Sequence, residues 1–233
     1  MQSSSEWHST STTPGRLAGL AYLGIIVFSI FGYTTVTRLL DGMASGAIER
    51  VAANHTLFTA AFASNFVGLA AWVAVGLLLY RLMGEANRTA GVLMLIFITG
   101  GVVTNAFAFL QLWPMVRSFA VAVATFAPAV DSYRRLLLLA QIFSGLWLFP
   151  VGWLIVRTRV APRFLGACLF VGGFGYVLLF TTAFVPGLDQ MLAYRIVSAG
   201  LGVPAMIGEF GICIWLLIKG AARASIPAVP AAV

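Results

Sequence analysis

Long apolar runs separated by short polar breaks dominate this chain, and they set its architecture. Six runs, at 17–37, 56–80, 90–113, 136–156, 164–185 and 196–218, carry few or no charges. A helix rises about 1.5 Å per residue, so about 20 apolar residues cross the hydrocarbon of a bilayer. Each run therefore predicts one transmembrane helix. Lipid offers no partner to an exposed backbone group, which makes helices the default for spanning segments. A transmembrane barrel needs alternating strands of about ten residues, and the runs show no such alternation. Tyr80, Trp113 and Trp153 stand near run ends, where interfacial aromatics collect.

The polar breaks are not simple tethers. The stretch "DGMASGAIERVAANH" at 41–55 predicts a short helix on the membrane surface. The stretch "SFAVAVATFAPAV" at 118–130 is apolar but too short to span, and predicts a short helix or interfacial segment. The expected fold is thus all-α: a polytopic bundle of six transmembrane helices with short interfacial helices in the outer loops. Residues 1–15 read as a disordered polar tail, 16–220 as one transmembrane domain, and 221–233 as a flexible tail. The first apolar run has the length of a full span and no clear cleavage site, so it is expected to stay in the mature protein.

Composition agrees with this picture. Of 233 residues, 61% are hydrophobic and 9% charged, against about 25% charged in soluble domains. The net charge of +7 comes from basic residues scattered singly between the runs, so it marks membrane flanks and not nucleic-acid binding. With six spans both termini share a side. That side holds Arg16, Arg81, Arg88, Arg157, Arg159, Arg163, Lys219 and Arg223, against Arg38, Arg50, Arg117, Arg134, Arg135 and Arg195 opposite. Eight against six favours cytoplasmic termini in a cell (plasma or inner) membrane. Cys168 and Cys213 lie inside runs and read as buried small side chains.

Within the runs, Ala60, Ser64 and Gly68 share one helix face, as do Gly100, Thr104 and Ala108; such faces allow close helix approach in lipid. Pro150 and Pro204 each remove a backbone donor and predict kinks. Glu209 is the residue that demands explanation. A carboxylate at a span centre costs about 2.5–3.5 kcal/mol on insertion scales, so partners or protonation must offset it. By helical rise Glu209 lies about 13 Å from the terminal-side end of its span. Ser29, Ser144 and Tyr176 lie at about 18 Å, and Asn65, Asn105 and Gln141 at about 22 Å. Depth alone suggests one interior polar column rising from Glu209.

Four stretches, "RLAGLAYLGIIVFSIFG" from Arg16, "LLLYRLMGEANRTAGVL" from Leu77, "APRFLGACLFVGGFGYVL" from Ala161 and "PAMIGEFGICIWLLIKG" from Pro204, resemble in order and spacing a family of bacterial six-helix membrane proteins, domain of unknown function 4386. The resemblance implies no settled activity. It does imply an aspartate in the second span, an arginine early in the third and a histidine in the fourth. The matching positions here are Asn65, Ile98 or Thr99, and Trp147, so any role resting on those groups is not implied for this chain.

Enzyme chemistry is poorly supplied. His8 and His55 are the only histidines and neither lies deep in a span, so metal hydrolysis, haem ligation and a Ser–His dyad lack their residues. "GGFG" at 172–175 lies inside a span and reads as packing. No cofactor, metal or nucleic-acid partner is expected; the partners are the lipid bilayer and a small apolar or amphipathic ligand. The favoured function is binding that ligand in an intramembrane cavity with Glu209 near its base, alongside Tyr176, Asn105, Asn65, Ser144 and Gln141. The alternative is an accessory or structural subunit that acts by helix packing against a partner. Pro150 and Pro204 do not occupy matching places in two halves, which weakens a transporter reading.

Overall fold

The computed structural model describes residues 12–118, 123–182, 184–185 and 187–221. Nine α-helices occur among them: α1 Thr13–Leu39, α2 Ala44–Ala53, α3 His55–Met83, α4 Arg88–Leu110, α5 Trp113–Arg117, α6 Val123–Leu146, α7 Leu148–Thr158, α8 Arg163–Thr181 and α9 Leu192–Ile218. Six helical units are long and apolar enough to span: α1, α3, α4, α6 with α7, α8 and α9. Each packs on the next in chain order, and α9 returns to α1, closing a ring. The helices are therefore the predicted six, with one change of extent. The fourth span begins at the start of α6, so 123–130 form its first turns and are not a separate interfacial segment. Phe126 and Val130 anchor those turns in the core; residues 119–122 lie outside the described residues.

Local chemistry places the breaks. Asn87 caps α4, its Oδ1 accepting from the Ala90 N–H at 2.9 Å. Pro150 cannot donate to Leu146, and the ladder is interrupted there, between α6 and α7. Pro204 leaves α9 as one continuous helix. The GGFG stretch packs, as its position implied: Gly172 faces Ala205, and Gly175 faces Leu201, both on α9. Ser64 and Gly68 do meet α1, the Ser64 hydroxyl donating to the Phe28 carbonyl at 2.9 Å and Gly68 facing Ser29. Ala60 is exposed and outside that seam; Ala61 takes its place, against Gly32.

Two cores stack along the ring axis. One fills the half nearer the termini and includes Leu79, Leu154, Ile155, Leu169, Ile212 and Leu216. The other fills the distal half, where α2 and α5 cover the end of the bundle. Buried Ala47 and Val51 hold α2 down. The His55 Nε2 lies 3.1 Å from the Met115 carbonyl, tying α3 to α5.

Arginines on α2 and α6 cap the end of α1. Arg50 donates from Nε to the Leu39 carbonyl at 3.4 Å and from Nη2 to the Asp41 carbonyl, and Arg134 donates from Nη2 to the Leu40 carbonyl at 2.9 Å. Cations at a helix C-terminus meet its unpaired carbonyls and its dipole. Arg134→Gln is expected to lower stability by about 1–2 kcal/mol, read as a fall in Tm in detergent. An unchanged Tm would show that Arg134 only marks the membrane edge.

Candidate functional site

Glu209 reaches into the bundle from α9. The Tyr176 hydroxyl of α8 donates to its Oε1 at 3.3 Å. Protein surrounds the carboxyl, yet Glu209 and Tyr176 are only partly buried and retain accessible surface. Ile212 and Leu216, one and two turns nearer the terminal end, are by contrast fully enclosed.

A second phenol approaches from α1. Tyr22 is 2% exposed and lies near enough to Glu209, Tyr176 and Cys213 to interact with each electrostatically. Its hydroxyl has no hydrogen-bond partner among the described residues. The Tyr22 ring sits 6.1 Å from that of Trp147, which in turn meets Trp72 edge-on at 5.8 Å. Trp72 is 8% exposed, and its Nε1 likewise lacks a partner among the described residues. The sequence packs this row through small residues: Gly101 admits the tip of Trp72, and Gly145 accepts the stem of Tyr176. Trp147 occupies the position where the family resemblance implies a histidine.

The remaining sequence-derived candidates do not bond Glu209. Ser144 donates to Ala140, Asn105 to Gly101 and Gln141 to Leu137, each to a carbonyl four residues back on its own helix. These three are partly buried. Asn65 is buried near Gly32 of α1, and its Nδ2 has no partner among the described residues. Ser29 faces Gly68. Depth therefore pointed to Tyr176 as a neighbour of Glu209, while the polar column does not form as a bonded chain. Sequence reasoning missed Tyr22 and Trp72. Aromatics in spans ordinarily read as packing or interface anchors, so the available signal was only Tyr22's position well inside the first apolar run.

Six apolar spans closed into a ring, with buried aromatic groups and a partly buried carboxyl between them, define an all-α polytopic membrane protein. The chain belongs to the family described as Domain of unknown function (DUF4386), whose profile matches residues 17–220. It is also similar to an uncharacterized protein of Archaeoglobus fulgidus, 27% identical over 101 residues, which are 43% of this chain and 56% of that protein. The match thus spans about half the length of that relative. No solved structure matches the chain significantly.

Proposed function

We propose that this membrane protein binds a small molecule in an intramembrane cavity with the Glu209–Tyr176 pair at its base. The observation that carries the reading is a cluster with unmet bonding capacity: a partly buried Glu209–Tyr176 pair, with the buried Tyr22 hydroxyl near it and, one ring further on across Trp147, the Trp72 indole, both without partners among the described residues. Buried polar atoms are bonded in the great majority of cases, because an orphan costs about 1–3 kcal/mol. A ligand carrying an acceptor oxygen meets that need. Asn105, Gln141 and Ser144, partly buried on neighbouring spans, supply further polar surface, and Asn65 lies farther into the α1–α3 seam. The alternative, an accessory subunit acting by packing alone, predicts a solid interior at this level and leaves the unpartnered Tyr22 and Trp72 donors unexplained.

Native mass spectrometry of protein extracted from its own membranes tests the proposal. The wild type is expected to carry an adduct of discrete mass, and Glu209→Gln and Tyr22→Phe to carry it at about one fifth of the occupancy or less, since each removes a specific bond. Both variants should keep the wild-type elution profile. A wild type that is adduct-free, or an adduct indifferent to both substitutions, would overturn the reading.

A further inference from the structure

We infer that the ligand of this site is a membrane-dissolved neutral amphiphile with a hydroxyl or carbonyl head, and that it enters sideways between the distal halves of α1 and α9. The inference rests on the binding site proposed above and names its ligand class and route.

The α1–α9 seam is closed at its terminal half. There the Gly15 N–H donates to the Ala221 carbonyl at 3.2 Å, Gly19 lies against the Leu216–Leu217 backbone, and the Cys213 thiol reaches the Gly19 carbonyl at 3.6 Å. Residues four and seven apart share a helix face. Along that face of α9, Leu216 and Cys213 are buried, Glu209 is partly buried, and at Gly202 an added Cβ would meet nothing within 4 Å. Two turns beyond Glu209 the same face thus confronts open space.

The distal core explains the gap. It draws on α1 to α6, and no described residue of α8 or α9 joins it. Those two helices hold each other instead, through Gly172 on Ala205, Gly175 on Leu201 and the Tyr194 hydroxyl donating to the Leu178 carbonyl at 3.4 Å. The distal end of the other four spans is roofed by enclosed Leu40, Leu112 and Met115. The opening therefore faces sideways, towards hydrocarbon. Val203 and Met206 of α9 and Ile30 and Tyr33 of α1 are exposed groups on the facing sides at this level, suited to a hydrocarbon chain.

Head-group chemistry follows from the polar atoms present. The Trp72 indole only donates, and the Tyr22 hydroxyl donates where no acceptor is at hand, so the head needs an oxygen acceptor. An ammonium head has none. Arg134 and Arg135 lie in the distal turns of the fourth span, where Arg134 is held on the Leu40 carbonyl, and every other described Arg and Lys stands near a span end or in a connection, so a phosphate or carboxylate head beside Glu209 would be buried without a counter-charge, which is costly. A hydroxyl accepts from a phenol or indole and donates to the carboxyl; a carbonyl does the first.

The test uses the full chain in phosphatidylcholine nanodiscs with a hexadecanol probe carrying a mid-chain photoreactive diazirine. Matched probes are the same chain without the hydroxyl, its phosphate monoester, and a diazirine hexanol. The hexadecanol probe is expected to label the distal halves of α1 and α9 more strongly than the hydrocarbon and phosphate probes. Tyr22→Phe should weaken that labelling about fivefold, the effect of one net hydrogen bond. Gly202→Trp, placed in open space, should block the long probe. Hexanol labelling that depends on Tyr22 and Glu209, with no hexadecanol labelling or none that Gly202→Trp alters, would overturn the lateral lipid route while leaving the binding site standing. Stronger labelling by the phosphate ester would overturn the neutral head. Labelling by no probe in a Tyr22- or Glu209-dependent way would overturn site and route together.

Discussion

Gly166→Leu is expected to prevent α7 and α8 from meeting and to leave the protein aggregated on extraction. The two helices cross backbone to backbone: a Cβ on Gly166 would stand 2.7 Å from the Gly152 carbonyl oxygen, and one on Gly152 would stand 2.5 Å from that of Gly166. Overpacking a core commonly costs about 1–3 kcal/mol because side chains can shift. Here the obstacle is main chain on both sides, so the loss should exceed about 3 kcal/mol. Gly200→Leu is the matched control. It makes the same chemical change within α9, where an added Cβ meets nothing within 4 Å, and it lies on the face opposite Glu209. There the leucine should leave stability unchanged or raise it by up to about 1 kcal/mol through helix propensity. Size-exclusion profiles and Tm in detergent read both outcomes. A well-folded Gly166→Leu protein would refute the close α7–α8 crossing.

Glu209→Leu is expected to be the most damaging single change at the site. It leaves the Tyr176 hydroxyl without the acceptor it now has at 3.3 Å. It also removes the one carboxyl among the described residues that interacts with Tyr22. Orphaned buried donors cost about 1–3 kcal/mol. The insertion cost of the carboxylate does not reverse the sign, because the unfolded reference state already holds the span in lipid. Glu209→Gln keeps the shape and an acceptor, so it should stay within about 1 kcal/mol of wild type. Tyr176→Phe combined with Glu209→Leu removes both partners and should recover part of the loss. The coupling between the two positions is expected near about 0.6 kcal/mol and no larger than about 1.7. Thermal unfolding of the four proteins in one detergent gives the cycle. Zero coupling would mean that the observed pair contributes nothing to the fold.

The spans were legible because transfer into lipid is a sum over consecutive residues. The six apolar runs contain most of each spanning unit found, and Asn87 announced its capping role by type and place. Glu209 was legible for a related reason: a carboxylate in hydrocarbon is costly wherever its helix faces, so its presence alone implies partners. The same sum cannot reveal azimuth. Ser144, Asn105 and Gln141 sit at depths fit for a shared column, yet each satisfies itself on its own helix, a choice that depends on rotamer and neighbours. Tyr22 and Trp72 carry apolar bodies with one polar atom each, and only the packing around Trp147 shows that those atoms are left unbonded. Arg50 and Arg134 count as flanking charges along the chain; the ring brings them onto the last carbonyls of α1. Hydropathy, set by local sums along the sequence, thus determined how many times this chain crosses the membrane. Which polar groups meet, and where α9 closes on α1, was decided by contacts between residues as distant as Gly19 and Cys213, which arise only when the ring closes.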